Sequence, residues 1–122
     1  MKMFLILLPF ALIATQAVAT PSPQGCALRM SENGSLVTLR GVVDPQDWPR
    51  GNYEMTIEAR QGGNRSLSRQ AGAFDSASAT SSKGLLVLST TTLHVSDGGR
   101  LAVTLHVEDG NRNVSCSFDY ER

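Results

Sequence analysis

Residues 101–120 read LAVTLHVEDGNRNVSCSFDY, and this stretch decides the fold class. Apolar and polar residues alternate on both sides of a short polar loop, which is the period of a β-strand with one buried face. A loop over Asp109–Arg112 predicts a hairpin in which every inward residue meets another inward residue. The predicted pairs are Val107 with Val114, Leu105 with Cys116, Val103 with Phe118, and Leu101 with Tyr120.

A second hairpin is predicted near the start of the domain, around the dipeptide Asn33-Gly34. Asn-Gly is the strongest two-residue turn signal, because both central positions need positive φ. A turn centred on this dipeptide places Arg29 and Arg40 on the face opposite to the apolar residues. The predicted inward pairs are Met30 with Val37, Leu28 with Leu39, and Cys26 with Gly41.

The segments between these hairpins continue the pattern. We expect a strand over 52–61, a turn at 62–64, a polar edge strand over 65–70, a loop over 70–82, a central strand or two over 85–95, and a turn at 96–99. About seven strands at such spacing predict an all-β fold, an immunoglobulin-like antiparallel β-sandwich. The pattern leaves open which sheet the strand around Arg65 joins.

The single tryptophan, Trp48, lies in a proline-containing loop over 44–51. We expect its indole ring to cap one end of the core. Stacking of the ring on a ligand is the alternative interpretation.

The N-terminal residues resemble a cleaved export signal. A basic start precedes the apolar run Phe4–Ile13, and Ala17-Val18-Ala19 supplies the small residues of a cleavage site before Thr20. The run is too short for a transmembrane helix, which needs about 20 residues. We therefore expect a signal peptide over 1–19, an extended lead-in over 20–25, and the sandwich over 26–122, with no membrane association.

The two cysteines, Cys26 and Cys116, lie near opposite ends of the predicted domain. An even cysteine count in an exported chain favours a disulfide, here between the first and last strands, so that it ties the two sheets together. Two free thiols or a redox pair are the alternatives.

Composition and motifs argue against several functions. The formal net charge is +0, so neither nucleic acid nor an anionic membrane is an expected partner. The two histidines, His94 and His106, are too few and too scattered for a metal site. No nucleophile motif, phosphate loop or Cys-x-x-Cys pair is present, so we expect no enzyme activity, no cofactor and no metal.

Charge is nevertheless distributed unevenly in the predicted sandwich. We expect acidic residues on the outer face of the second sheet, at Glu54, Glu58, Glu108 and Asp119. Arginines are expected on the outer face of the first sheet and around the edge strand. These candidate client-binding residues are Arg29, Arg40, Arg60, Arg65 and Arg69. Such a basic patch beside a strand edge suits an acidic or polar protein partner, although it is also compatible with an ordinary solvated surface.

Four motifs in order resemble the CsgH family, the alphaproteobacterial relatives of the curli assembly factor CsgC. The motifs are Cys26-Ala27-Leu28-Arg29 before the hairpin, Gly51-Asn52-Tyr53-Glu54-Met55, Gln70-Ala71-Gly72-Ala73-Phe74, and the closing Cys116. The chain lacks the Cys-x-Cys element of the CsgC branch, because Ser117 and Phe118 follow Cys116. The resemblance therefore implies no thiol-redox role.

The resemblance implies a periplasmic chaperone that keeps curli subunits from polymerising into amyloid before export. Its expected partner is the curli major subunit, and we expect the chaperone to be a monomer. The alternative is an immunoglobulin-like accessory or adhesion and secretion module with a different protein partner. A small periplasmic enzyme or metal carrier is a third class, against which the missing ligand cluster counts.

Overall fold

The computed structural model describes residues 25–76, 81–82 and 84–122. The predicted signal peptide lies outside these residues, as does most of the predicted lead-in. The described strands are β1 (Cys26–Asn33), β2 (Leu36–Val43), β3 (Arg50–Gln61), β4 (Asn64–Asp75), β5 (Ser81–Ser82), β6 (Leu85–His94), β7 (Arg100–Glu108) and β8 (Asn113–Glu121). In these ranges no helix crosses a membrane, since none is long and apolar enough to do so.

The strands form two antiparallel sheets that pack face to face. Sheet A has the strand order β1-β2-β6-β5, and sheet B has the order β4-β3-β7-β8. The predicted all-β immunoglobulin-like sandwich is confirmed, with seven long strands and the two-residue β5 among the described residues. Arg65 lies in β4, so the edge strand that contains it belongs to sheet B.

The core lies between the sheets and is built from the alternating apolar positions. Leu39 of sheet A and Met55 and Leu105 of sheet B are wholly buried. At one side of the sandwich β1 lies against β8, and the disulfide between Cys26 and Cys116 joins them, with 6.2 Å between their Cα atoms. The bridge therefore links sheet A to sheet B, as the sequence predicted.

The predicted strand register is correct in one of the two hairpins and wrong in the other. All four predicted β7–β8 pairs are confirmed, including Leu105 with Cys116. The predicted β1–β2 register is wrong by two residues, because Met30 pairs with Leu39 and Leu28 pairs with Gly41. The reason is the turn, which is Gly34–Ser35 rather than Asn33–Gly34, with Gly34 at a positive φ of 65°.

The predicted loop over 70–82 is wrong for residues 70–75, which complete the twelve-residue strand β4, and for residues 81–82, which form the short strand β5. In this part of the β3–β4 pairing, an aromatic residue on one strand lies opposite a glycine on the other. Tyr53 lies opposite Gly72, and Phe74 lies opposite Gly51. A Cβ atom at Gly72 would be 3.1 Å from the Tyr53 ring, and one at Gly51 would be 3.2 Å from the Phe74 ring. Each glycine thus leaves room for the aromatic ring of the opposite strand, which extends the pairing.

Trp48 caps one end of the sandwich, as expected. Its side chain is 0% exposed, so no face of the ring remains open for a ligand, and the alternative stacking role is wrong. Its backbone N–H donates to the Asp44 carbonyl oxygen at 2.9 Å, and its own carbonyl accepts from the Ser76 hydroxyl at 3.0 Å. The Arg112 guanidinium lies 4.1 Å from the ring centroid, in a cation–π contact.

Side chains of the last residues close the opposite end of the sandwich. The Tyr120 hydroxyl donates to the Glu32 carboxylate, which raises the pKa of Tyr120 above 10.0. The Arg122 side chain donates to the Gly34 carbonyl oxygen at 2.7 Å and to the Asp97 carboxylate at 3.1 Å. These contacts hold the β1–β2 turn of sheet A against the end of β8.

Candidate functional site

The five predicted client-binding arginines lie on two opposite faces of the sandwich. Arg29 and Arg40 lie on the outer face of sheet A, whereas the other three lie on the outer face of sheet B, on β3 and β4. Those three are Arg60, Arg65 and Arg69. The structure therefore divides the single predicted basic patch into two surfaces with different electrostatic surroundings.

Arg29 and Arg40 lie side by side on sheet A. They are directly opposite each other in the β1–β2 register, and both are exposed. Within the described ranges neither arginine makes an ion pair. Because like charges directly opposite each other on a sheet repel, this arrangement is unfavourable for folding alone.

No carboxylate offsets these two arginines on their own face. The outward residues of β1, β2 and β6 that the structure describes include no aspartate or glutamate. Their neighbours are hydroxyl groups, and Thr38 and Thr92 hydrogen-bond each other at 3.0 Å across the face. Glu32 belongs to β1, but it occupies an inward position of the strand. Its carboxylate accepts a hydrogen bond from the Tyr120 hydroxyl. We call this surface the Arg29/Arg40 face.

The arginines of sheet B are paired with acidic side chains of the same sheet. Arg60 lies 3.1 Å from the Glu58 carboxylate, which Arg65 also contacts, and Arg69 lies 3.2 Å from Glu54. The arginine side chains are about 57–63% exposed, so solvent screens these pairs and each contributes little to stability. These arginines hold their positions, but they add little net positive charge.

Further charges alternate across sheet B. The predicted acidic residues lie on its outer face, at Glu54, Glu58, Glu108 and Asp119. Arg100 and Glu121 face each other at 3.9 Å. Near them a shallow groove of about 450 Å³ is lined by both signs of charge. The outer face of sheet B is thus mixed, in contrast to the Arg29/Arg40 face.

The ion pairs on sheet B predict a measurable titration. The hydrogen bond from Arg65, followed by the weaker influence of Arg60, holds the pKa of Glu58 below its usual 4.5. Since the folded-state pKa is the lower one, this contribution to stability is present above the unfolded-state pKa and is lost as pH falls through the folded value. We expect Arg65→Gln to raise the Glu58 pKa in a carboxyl-detected NMR titration.

Arg69→Gln is the matched control for this titration, because Arg69 contacts Glu54 instead of Glu58. The Glu58 pKa should be the same in this variant and in the unmodified protein. An equal rise in both variants would show that general charge, rather than the Arg65 contact, sets the value.

The histidines and the other potential metal ligands do not cluster among the residues that the structure describes. His94 lies on sheet A and His106 on sheet B, where its Nδ1 atom is 3.0 Å from the Ser115 hydroxyl. No group of three or more potential ligands comes together in these ranges. The two charged outer faces and the strand edges remain as candidate sites.

Sequence reasoning missed a polar cluster between the sheets. Gln70 of β4 hydrogen-bonds Ser89 and Thr91 of β6, and Ser89 is buried. The cluster joins the edge strand of sheet B to sheet A. Its sequence signal is weak, because Gln70 lies at the border of the expected loop, where alternation ends.

The fold and these surfaces define a class: a small immunoglobulin-like β-sandwich, closed by one disulfide, with one cationic and one mixed-charge face. The sequence profile of the family described as CsgH protein matches residues 25–119. The chain therefore belongs to the CsgH family, and it is a curli-associated protein of the CsgH and CsgC type.

Solved structures agree with this assignment. The solution structure of R. palustris CsgH is similar, with 25% sequence identity and a TM-score of 0.63, over 78% of this chain and 90% of that one. E. coli curli protein CsgC shares the fold, with 13% identity and a TM-score of 0.58, over 79% of this chain and 96% of that one. The search of curated protein sequences gives no match. The disulfide fits the oxidising setting of an extracellular or periplasmic protein.

Proposed function

We propose that this protein is a periplasmic chaperone, exported by its cleaved signal peptide, that inhibits premature amyloid polymerisation of curli subunits. It binds these subunits through charged β-surfaces and catalyses no reaction. Membership of a curli-associated family supports the client class. The observation that carries the proposal is the Arg29/Arg40 face, where two adjacent cations have no carboxylate to offset them among the described outward residues.

A cationic face of this kind suits a chaperone that has to bind its client before the client subunits associate. An amyloid nucleus grows by the addition of strands, so an inhibitor has to encounter unfolded subunits before they associate. Uncompensated surface charge raises the rate of encounter with an oppositely charged partner and acts over about 8–10 Å at physiological salt. The Arg29/Arg40 face would thus attract acidic or polar client segments.

The test is a thioflavin assay of curli-subunit polymerisation with and without this protein. We expect the unmodified protein to extend the lag phase at low molar ratio. The variant Arg29→Glu with Arg40→Glu should need about tenfold more protein for the same lag, because steering of this kind changes rates by 10-fold or more. Reversal of Arg60, Arg65 and Arg69 should weaken inhibition less, since they are already ion-paired.

Arg50→Glu with Arg100→Glu is the matched control, because it changes net charge equally but leaves the Arg29/Arg40 face intact. It should inhibit nearly as well as the unmodified protein. Equal losses in both double variants would reject the role of the Arg29/Arg40 face. A complete lack of inhibition by the unmodified protein would reject the chaperone proposal and favour an accessory or adhesion module.

A further inference from the structure

Strand β4 offers an open backbone edge. It pairs with β3 without interruption from Arg50 opposite Asp75 to Gln61 opposite Asn64. No strand in the described ranges pairs with its other side. Residues Asn64–Arg69 are all exposed, so sheet A does not cover this part of the strand. We call this segment the β4 edge.

The hairpin geometry shows which backbone groups are unpaired at this edge. The two-residue turn Gly62–Gly63 makes Gln61 and Asn64 a hydrogen-bonded pair, and such pairs alternate with non-bonded ones. At the other end of the β3–β4 pairing, the Ser76 N–H donates to the Pro49 carbonyl oxygen at 2.8 Å. This bond fits the same alternation of bonded and non-bonded pairs. Even-numbered residues of β4 therefore bond to β3. The open N–H and C=O groups belong to residues Arg65, Leu67 and Arg69.

The side chains of these three residues leave the edge accessible. The guanidinium groups of Arg65 and Arg69 contact Glu58 and Glu54 of β3, so they lie back over sheet B rather than across the open edge. Leu67, between them, is 53% exposed. Natural edges are usually protected by proline, bulges or charged side chains. This segment has no proline or bulge, and its charges, Arg65 and Arg69, discourage pairing with strands that lack acidic residues.

The opposite edge of sheet B has a different character. The outward residues of β8 are small or acidic, with Ser115 and Ser117 followed by Asp119 and Glu121. The β4 edge instead presents two arginines that flank an exposed leucine. On a strand these arginines are about 13 Å apart, which matches two carboxylates at the same spacing on an added strand.

We propose that the β4 edge binds an extended segment of a client as an additional antiparallel strand of sheet B. The segment carries two carboxylates opposite Arg65 and Arg69, on either side of a small or apolar residue opposite Leu67. The carboxylates share the arginines with Glu54 and Glu58, and the client backbone bonds to the open groups of β4. The identity of the client as an amyloid-forming subunit rests on the proposed function, whereas the binding mode does not.

The binding mode is tested with a synthetic peptide, acetyl-Thr-Asp-Thr-Val-Thr-Asp-Thr-amide, and amide hydrogen exchange followed by NMR. Strand addition should slow exchange about tenfold at Arg65, Leu67 and Arg69. Exchange at Ser66 and Ser68 should not change, because their N–H groups already bond to β3. The same peptide with asparagine in place of aspartate should protect these amides less. Protection without this alternation, or protection on another strand, would overturn the proposal.

Variants at the same position test the edge in the polymerisation assay. Leu67→Pro removes an open N–H and no bond to β3, so inhibition should weaken about tenfold while circular dichroism stays that of the folded sheet. Leu67→Ala keeps the N–H and should retain most inhibition. Ser117→Pro, on the opposite edge of the same sheet, is the matched control and should inhibit normally.

The outcomes separate this inference from the proposed function. If the unmodified protein inhibits polymerisation and Leu67→Pro inhibits equally well, the edge mechanism is rejected while the chaperone function stands. If the unmodified protein does not inhibit, the chaperone function fails, and the peptide experiment still decides the binding mode. Concentration-dependent protection of the β4 edge without peptide would mean that a second copy occupies it, and this also rejects the proposal.

Discussion

Replacing Cys26 and Cys116 together by alanine is expected to lower the free energy of unfolding by about 4 kcal/mol. The disulfide closes a loop with a sequence separation of 90, and a cross-link over so long a loop removes much of the conformational entropy of the unfolded chain. Because a domain of this size is stable by about 5–15 kcal/mol in total, the loss is a large fraction. Urea denaturation followed by circular dichroism measures it.

The choice of alanine keeps both positions apolar, since Cys26 and Cys116 are buried. The control is chemical reduction. A reductant should destabilise the unmodified protein by a similar amount, and it should leave the double alanine variant unchanged. A variant as stable as the oxidised protein would show that the bridge contributes little to the fold.

Trp48→Ala is expected to cost about 3–5 kcal/mol, the usual range for truncation of a fully buried tryptophan. The indole fills the end of the core, and its loss leaves a cavity and exposes the loop that it anchors. Arg112 would also lose its ring contact, although its ion pair with Asp109 at 3.2 Å would remain. Thermal unfolding by circular dichroism is the suitable measurement, because the variant has no tryptophan fluorescence.

Leu36→Ala is the matched control for this prediction. Leu36 is 45% exposed, so its truncation should change the free energy of unfolding by less than about 1 kcal/mol. Trp48→Phe should fall between the two, since it refills part of the cavity. Similar losses for Trp48→Ala and Leu36→Ala would mean that the tryptophan is not part of the core.

Alternation of residue types predicted the faces of the sandwich better than it predicted the registers. In β7 and β8 both were correct, because strict alternation extends to each side of the loop. In β1 and β2 the register slipped by two residues, and a slip of two keeps every side chain on its face. The slip arose because the turn begins at Gly34, which has a positive φ, so that Asn33 stays in the strand.

The second half of β4 could not be predicted from its own residues. Alanine, glycine and serine resemble a loop, and their role becomes visible only when Tyr53 and Phe74 are seen to lie opposite Gly72 and Gly51. Whether such a segment forms a strand depends on its pairing with a distant segment of the chain. The periodicity of its own residues does not reveal that pairing.

The candidate site was predicted in part. The outward positions of Arg29, Arg40 and Arg60 follow from alternation, and they are correct. The partners of the sheet B arginines do not follow, because the contact of Arg65 with Glu58 depends on the register of β3 against β4. The separation of Arg29 and Arg40 from the other arginines also depends on the sheet to which β4 belongs. A single predicted patch therefore becomes two surfaces.

The placement of the Arg29/Arg40 face and the β4 edge on different sheets has a consequence for valency. The sheets of a sandwich are about 10 Å apart, so one short strand cannot touch both surfaces, whereas a long unfolded chain can wrap around the domain and reach them in turn. Engagement of one surface raises the effective concentration of the tethered client at the other. Avidity of this kind would favour full-length, unfolded subunits over short fragments or folded chains.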